Sequence, residues 1–342
     1  MNRQCGREAP LGQSSRDPLL QVRGLTVRYR PEGGAEVAAV NQADFTIASG
    51  EAVGLLGESG CGKTTLALSL LRLLPTNTCE VRGSILLGET ELMGLGESQL
   101  RQLRGAMISI IFQEPEIALN PVMRVGDQIA EVIRAHRPWG KRRCLDEAGA
   151  LLDQLHFTDA NRIFNAYPHQ LSGGQRQRAV IAQAIACKPA LVIADEPTTA
   201  LDPTVQSEVL TLFIDLKERF QTAFLFISHN PAILAKVVDR ILVMYAGRIV
   251  EEAETTQILR RPLHPYTAGL MRCVLEWGDE GAFRPRRILP TIPGSPPDPA
   301  DLMQGCPFEP RCPERMEVCT AREPQEVQAE NSQRVRCFKY GG

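Results

Sequence analysis

Polar and apolar side chains alternate over residues 19–47 of the chain. Such alternation is typical of half-buried strands, and the breaks at Pro31 and Gly33-Gly34 indicate a hairpin turn between two of them. Together with residues 81–87, this region predicts an antiparallel β-subdomain. Four other runs are mainly apolar, as in strands buried on both faces of a parallel sheet; they are residues 52–56, 107–112, 191–194 and 223–228.

Helix-like runs lie between these predicted strands. They cover residues 66–74, 125–135, 143–155 and 179–186. Residues 240–244 and 248–252 flank Tyr245-Ala246-Gly247 and indicate a strand pair with a glycine turn. The pattern therefore predicts an α/β protein with a mixed or parallel sheet core, an antiparallel β-subdomain and a helical subdomain at about residues 114–178.

A glycine-rich octapeptide lies between the apolar run 52–56 and the helical run 66–74. It reads Gly57-Glu58-Ser59-Gly60-Cys61-Gly62-Lys63-Thr64 and matches G-x-x-x-x-G-K-[ST] in the strand–loop–helix context that this phosphate-binding motif needs. Backbone N–H groups and the helix N-terminus face phosphate oxygens in such a loop, and Lys63 supplies a mobile cation. Thr64 is placed to ligate Mg²⁺. Alone, the motif fits kinases, GTPases and ATPases.

Two carboxylates end the apolar run at residues 191–196. A buried parallel strand would present both acids at its carboxyl end. We expect Asp195 to hold Mg²⁺ through water and Glu196 to polarise the attacking water. This pair favours nucleotide hydrolysis over the other activities that a phosphate loop allows.

The segment Leu171-Ser172-Gly173-Gly174-Gln175 precedes a helical run and resembles the signature of the ATP-binding cassette (ABC) family. In that family the signature grips the γ-phosphate bound to the other protomer's phosphate loop. A second Gly-Gly turn that opens a helix is a second anion site, and one chain needs only one such site per nucleotide. The resemblance therefore implies a P-loop NTPase fold of the ABC nucleotide-binding type and a head-to-tail ATPase pair.

Other positions resemble family elements in the same order along the chain. Tyr29 is placed like the aromatic ring that stacks on adenine, and Gln113 like the glutamine that touches Mg²⁺ and the attacking water. Ala200-Leu201-Asp202 matches the loop that communicates across the dimer. His229 matches the histidine that contacts the γ-phosphate, and Asn230 stands where the family commonly has aspartate.

The resemblance implies that ATP and Mg²⁺ are the cofactors. Its catalytic residues are Lys63, Gln113, Glu196 and His229, and its Mg²⁺ ligands are Thr64, Gln113 and Asp195. Its nucleotide-binding residues are Tyr29, Gly57, Glu58, Ser59, Gly60, Cys61, Gly62, Lys63, Thr64, Thr65, Gln113 and Asp195, with Ser172, Gly173, Gly174 and Gln175 acting in trans.

Beyond residue 262 the sequence contains His264-Pro265-Tyr266-Thr267, then a proline-rich stretch that begins at Ile292-Pro293-Gly294, then four cysteines. These features, with residues 118–126, resemble the oligopeptide and dipeptide importer ATPases over residues 19–338. The cysteines are Cys306, Cys312, Cys319 and Cys337. The resemblance implies a 4Fe-4S cluster, an all-thiolate set also suits Zn²⁺, and the third alternative is reduced cysteines that help the extension pack.

Composition limits the function further. The 342 residues carry a net charge of −2, which gives no electrostatic reason to expect nucleic-acid binding. No apolar run approaches the roughly 20 residues of a membrane span. The polar residues 1–18 are expected to form a flexible tail, with the ATPase domain at 19–262 and a C-terminal extension at 263–342. We expect a cytoplasmic chain whose ten cysteines form no disulfides.

The sequence therefore predicts the ATP-hydrolysing subunit of a membrane importer of di- or oligopeptides, peripheral on the cytoplasmic face. Its expected partners are a second, homologous or identical ATPase subunit, two permease subunits and, through them, an extracytoplasmic solute-binding protein. Nickel, glutathione or another small solute is the alternative cargo. A non-transport cytosolic ABC ATPase is a further alternative, although it would normally show duplicated cassettes or a coiled-coil insertion.

Overall fold

Two β-sheets organise the chain. The computed structural model describes residues 18–30, 36–199, 201–275, 291–298, 304–329 and 332–341. The predicted N-terminal tail, apart from Pro18, lies outside these residues, and so does Ala200. The turn predicted at Pro31 and Gly33-Gly34 also lies outside them.

The strands and helices of the described residues are numbered along the chain. The strands are β1 (Pro18–Tyr29), β2 (Val37–Ala48), β3 (Ala52–Leu56), β4 (Cys79–Leu87), β5 (Thr90–Glu91), β6 (Ile108–Ile111), β7 (Leu191–Asp195), β8 (Ala223–Ser228), β9 (Arg240–Tyr245), β10 (Arg248–Glu254), β11 (Val327–Gln328) and β12 (Arg334–Val335). The helices are α1 (Lys63–Leu70), α2 (Glu97–Leu103), α3 (Pro115–Ala118), α4 (Val125–His136), α5 (Lys141–Asp153), α6 (Ala160–Asn165), α7 (Gly173–Ile185), α8 (Pro203–Phe220), α9 (Pro231–Val237), α10 (Thr255–Arg260), α11 (Pro265–Leu275) and α12 (Glu317–Ala321).

The smaller sheet is antiparallel and has the order β2-β1-β4-β5. The larger sheet has the order β11-β12-β10-β9-β3-β8-β7-β6, and its strands from β9 to β6 are parallel. The predicted fold class, a mixed core sheet beside an antiparallel sheet, is therefore confirmed. Helices α3 to α7 lie in the chain between β6 and β7, the region predicted to be helical.

Two predicted elements are shorter than the sequence pattern indicated. The helical run 66–74 ends at Leu70, because Arg72 adopts a left-handed backbone (φ 53°) and its guanidinium donates to the carbonyls of Leu92 and Met93. The strand predicted at 107–112 covers only Ile108–Ile111. Met107 and Phe112 at its ends are both 42% exposed, so their apolar character marks no buried strand position.

The larger sheet buries both of its faces. Val53 and Leu55 of β3 pack with the antiparallel sheet and α1, whereas Ala52 and Leu56 belong to the apolar cluster on the helical side. On that side Phe213 of α8 meets Phe224 and Phe226 edge-on, with ring centroids 5.7 and 5.0 Å apart. Each such buried side chain stabilises the fold by about 1.5–3 kcal/mol. The phosphate loop therefore leaves a rigid strand.

The C-terminal extension adds strands to the larger sheet. Strand β12 pairs antiparallel with β10 through Glu251↔Val335 and Glu252↔Arg334, and β11 pairs with β12. The buried carboxylate of Glu252 also contacts Arg240 and Arg334. The extension is thus joined to the sheet that carries the phosphate loop.

The start of α11 is fixed by a buried histidine. His264 is 2% exposed, and its Nδ1 accepts a hydrogen bond from the backbone N–H of Tyr266 at 3.1 Å. The buried carboxylate of Glu251 accepts from the backbone N–H groups of Leu263 and His264 at 2.7 and 2.9 Å. Burial lowers the pKa of His264 to about 3, so the folded protein holds a neutral ring.

We expect this histidine to make stability depend on pH. The unfolded chain protonates His264 near its ordinary pKa of 6.5, and the folded chain does so only near pH 3. The contribution of the neutral His264 ring to stability is therefore complete above about pH 6.5 and is lost as the pH falls towards 3. Between about pH 7.5 and about pH 5.5, the wild type should lose about 1.4 kcal/mol more unfolding free energy than His264→Asn. Denaturant unfolding at both pH values measures this difference, and equal losses would contradict it.

Candidate nucleotide site

The loop between β3 and α1 requires glycine where the backbone passes close to other strands. A Cβ on Gly57 would lie 2.4 Å from the carbonyl oxygen of Met244. Gly62 has φ 106°, and a Cβ there would lie 2.1 Å from the carbonyl oxygen of Ala39. No other residue type fits without moving these strands. Gly57 and Gly62 thus determine the path of the loop.

The lysine of the loop is buried among carbonyl groups. Lys63 is 6% exposed, and its Nζ donates to the carbonyl oxygens of Gly57 and Glu58 at 2.9 and 2.8 Å. Cys61 is also buried, and burial raises the pKa of its thiol. The ammonium is therefore held within the loop by backbone carbonyls, with the Sγ of Cys61 3.9 Å from Nζ.

A cleft of about 720 Å³ adjoins the loop. Its lining includes most of the predicted nucleotide residues: Tyr29, Glu58, Ser59, Gly60, Gly62, Lys63, Thr64, Thr65, Gln113, Glu196 and His229. It also includes Thr199 and Leu270, which the sequence motifs did not indicate. The Tyr29 hydroxyl lies 3.4 Å from Oγ1 of Thr65, which places this ring at the edge of the loop.

The two carboxylates at the end of β7 have different surroundings. Asp195 is 4% exposed, and burial raises its pKa although the Thr64 hydroxyl hydrogen-bonds to it. Burial also acts to raise the pKa of Glu196, but hydrogen bonds from His229 and Thr199 outweigh that effect, so its pKa lies below the ordinary value. The structure therefore pairs a buried carboxylate beside a threonine hydroxyl with an ionised carboxylate facing the cleft.

Glu196 follows β7 and contacts residues that follow the two strands on either side of it, β8 and β6. His229 follows β8, and its Nδ1 lies 3.0 Å from Oε1 of Glu196. Gln113 follows β6, and its Nε2 donates to Oε2 of Glu196 at 3.4 Å. Thr199 donates to the same oxygen at 2.9 Å. Glu196 has φ 46°, a strained conformation for a non-glycine residue that is typical of functional sites. Four polar side chains thus converge at one edge of the sheet.

The signature segment opens helix α7. Ser172 caps the helix, because its Oγ accepts from the N–H of Gln175 at 3.3 Å and the side chain of Gln175 accepts from the N–H of Ser172 at 3.1 Å. A Cβ on Gly174 would lie 2.4 Å from Cγ1 of Val205. Over the described residues, the lining of the cleft includes none of Ser172, Gly173, Gly174 and Gln175. The signature is thus a separate helix N-terminus.

Asp202 and Asn230 both cap helices. Asp202 accepts from the N–H groups of Thr204 and Val205 at the start of α8. Asn230 caps α9 through the N–H of Ala232 at 2.9 Å. An aspartate would cap α9 in the same way. The departure from the family pattern at Asn230 therefore keeps the local structure.

Comparison with known proteins identifies the family. The sequence model of the ABC transporter family matches residues 40–199. That of the oligopeptide/dipeptide transporter C-terminal region matches residues 250–319. The oligopeptide transport ATP-binding protein OppD of Escherichia coli is 42% identical over 330 residues, 96% of each chain. The chain belongs to the ABC transporter family. It is an ATPase with an ABC domain followed by the oligopeptide/dipeptide transporter C-terminal region.

Two further proteins resemble this ABC ATPase. A putative peptide import ATP-binding protein of Brucella melitensis is 43% identical over 333 residues, 95% of this chain and 98% of that one. The dimeric bacterial ABC transporter cassette MJ0796 has a TM-score of 0.61 and 26% identity, covering 69% of this chain and 98% of its own. The latter likeness confirms the ABC ATPase fold.

The cysteines of the ABC ATPase's C-terminal region lie close together. Those at 306, 312, 319 and 337 are all free, and the N–H of Cys306 donates to the carbonyl of Cys319 at 2.8 Å. Burial and the neighbouring thiols raise the pKa of Cys306 to about 11. Within the described ranges, however, no group of three or more His, Cys, Asp or Glu side chains is arranged to hold a metal ion. The geometry therefore does not support the predicted 4Fe-4S or zinc centre.

No helix in the part of this ABC ATPase that the structure describes is long and apolar enough to cross a membrane.

Proposed function

We propose that this ABC ATPase powers the import of peptides. The observation that carries the proposal is its likeness, over 96% of both chains, to an oligopeptide transport ATP-binding protein. The cleft also brings Lys63, Gln113, Glu196 and His229 to one place. Its volume of about 720 Å³ lies within the range usual for ligand pockets.

We propose that these residues bind MgATP and activate water. Lys63 and the loop N–H groups neutralise phosphate charge, and Tyr29 packs on the base. Thr64, Asp195 and Gln113 would hold Mg²⁺, which would supply positive charge to offset that of the phosphates. Oxygen ligands suit this cation, and Asp195 already pairs with Thr64 in a buried position. Glu196 orients and deprotonates water, and His229 senses the terminal phosphate.

Two chains complete each site in this proposal. The helix N-terminus at Ser172 is an anion site apart from its own chain's cleft. A head-to-tail pair, as in the ABC family, brings it onto the partner's nucleotide. The partner is an identical chain or a homologous ATPase.

The surface beside Gln113 is the proposed permease contact. Ile117 and Val122 are each 79% exposed, the highest values among the exposed large apolar side chains of the described residues. A neighbouring groove of about 340 Å³ is lined by Val122, Met123, Arg124, Asp127, Ala130, Glu131, Arg134, Lys141, Cys144, Leu145 and Tyr167. Two permease subunits docked here on the cytoplasmic face would sense closure of the cleft, and a solute-binding protein would deliver cargo to them.

Isolation of the assembled membrane complex tests this function. Permease subunits and a solute-binding protein loaded with di- or oligopeptide are the expected companions. Nickel or glutathione in that receptor would keep the ATPase role but replace the cargo. Co-purification with ribosomes or DNA, without permeases, would reject transport.

The cysteine cluster has its own test. The four thiols lie near one another, since neighbouring thiols add to burial in raising the pKa of Cys306, Cys312 and Cys337. A 4Fe-4S centre, with Zn²⁺ as the alternative, would need them to move into a ligand arrangement that the described residues do not show. Purified protein is then expected to contain iron and acid-labile sulfide, or stoichiometric zinc, and Cys312→Ser should lose it. Cys79→Ser is the matched control, because Cys79 lies in β4. Folded wild type without metal would leave packing as the only role of the cluster.

A further inference from the structure

An arginine of the C-terminal region binds the second residue of the phosphate loop. Nη1 of Arg311 donates to Oε2 of Glu58 at 2.7 Å, and Nη2 donates to Oε1 at 3.1 Å. Arg311 is 7% exposed. A two-pronged contact of this kind fixes both direction and distance of the carboxylate. Glu58 itself lines the nucleotide cleft.

The guanidinium is held in place from two other sides. Its Nε donates to the carbonyl of Pro293 at 2.9 Å, and Nη1 also donates to the Tyr245 hydroxyl at 3.3 Å. The bonds to Glu58 raise the pKa of Arg311 above its ordinary value. Every nitrogen of the guanidinium therefore has a partner, and the side chain is oriented before any ligand binds.

A second residue of the extension holds the backbone of Glu58. The Tyr266 hydroxyl accepts a hydrogen bond from the N–H of Glu58 at 2.9 Å. Tyr266 is fully buried against Tyr245 and Phe308, with ring centroids 4.6 and 5.5 Å apart. Leu270, one turn later in α11, lines the cleft. The extension thus reaches the loop through both the backbone and the carboxylate of one residue.

The charge of Glu58 gives these contacts a consequence. A carboxylate in a loop that receives a triphosphate repels it, because like charges at close range oppose binding. Arg311 cancels that charge, and its fork holds the carboxylate towards the extension. Tyr266 fixes the loop backbone that carries the carboxylate.

We propose that Arg311 and Tyr266 are positioning residues of the nucleotide site, through which the C-terminal extension sets the affinity of the phosphate loop for nucleoside triphosphate. This inference rests on the nucleotide site of the proposed function. In this proposal Arg311 neutralises the charge of Glu58, and the extension thereby takes part in ATP binding.

A double-mutant cycle in the full-length ATPase tests the proposal. Arg311→Ala should raise the KM and Kd for MgATP by about 10- to 100-fold, the effect of leaving a charged group unpaired, with a smaller change in kcat. Glu58→Gln removes the charge, so the double variant should return to within about threefold of Glu58→Gln alone, since coupled residues are non-additive. Arg311→Lys keeps the charge without the fork and should fall between wild type and Arg311→Ala.

Controls separate this proposal from a structural role and from the nucleotide site itself. Arg315→Ala removes the same charge from an exposed position nearby and should leave the KM unchanged. A double variant as weak as Arg311→Ala would overturn the proposal, as would Arg311→Ala and Arg311→Lys with wild-type affinity. If Arg311→Ala does not fold, wild-type affinity in Arg311→Lys and Tyr266→Phe would overturn it. Failure of the wild type to bind MgATP would instead reject the proposed nucleotide site.

Discussion

Glu196→Gln is expected to lower kcat for ATP hydrolysis by about 10²–10⁴-fold, the range lost when a positioned general base is removed. The substitution keeps the size of the side chain, so Thr199 and Gln113 can stay close to it. It removes the negative charge that would orient and deprotonate water. MgATP should therefore still bind, and the closed, ATP-bound dimer should accumulate.

Turnover at saturating MgATP and gel filtration with ATP measure the two effects. Glu89→Gln is the matched control, because Glu89 is exposed and does not line the cleft. Wild-type turnover in Glu196→Gln would remove this residue from the base role. The pKa of Glu196 lies below its ordinary value of 4.5. We therefore expect Glu196 to stay ionised, and hydrolysis not to be lost by its protonation, until the pH falls below 4.5.

The resemblance assigned Gln113, Glu196 and His229 to one nucleotide site, and strand direction explains why their side chains meet in the structure. Gln113, Glu196 and His229 each follow a predicted parallel strand, and the carboxyl ends of such strands share one edge of a sheet. The structure places them within hydrogen-bonding distance of one another through Glu196. Thr199 belongs to the same cluster, but a threonine in a loop gives no periodic or spacing signal.

Contacts between distant parts of the chain could not be predicted in this way. Arg311 and Glu58 are 253 positions apart, and one arginine in a proline-rich segment does not indicate its partner. Strands β11 and β12 have two residues each, too few to show alternation. The four cysteines likewise showed that thiolate ligands were available. Their spacing in the sequence did not show how the thiols are arranged, because tertiary packing determines that arrangement.

Ser172→Arg should abolish hydrolysis at the partner's site while this chain still binds MgATP in its own cleft. An arginine cannot fit the cap that Ser172 forms with Gln175, and its bulk would block a nucleotide approaching the helix N-terminus. Loss of such preorganised donors costs about 10²–10³-fold in kcat. ATPase assays on the assembled complex, with photo-cross-linking of a nucleotide analogue to each subunit, measure both effects.

Where the dimer consists of two copies of this chain, complementation tests whether the signature acts on the partner's nucleotide or on that of its own chain. Lys63→Met disables a chain's own phosphate loop but keeps its signature, and Ser172→Arg does the reverse. In a head-to-tail pair, a mixed dimer regains one intact site, because the functional loop of one chain meets the functional signature of the other. Mixing two inactive variants should therefore restore turnover. With a homologous partner, Ser172→Arg and the equivalent loop substitution in that partner disable the same composite site, so the doubly substituted complex should turn over about as fast as either singly substituted complex. Unchanged hydrolysis by the Ser172→Arg complex would contradict a signature that acts across the dimer.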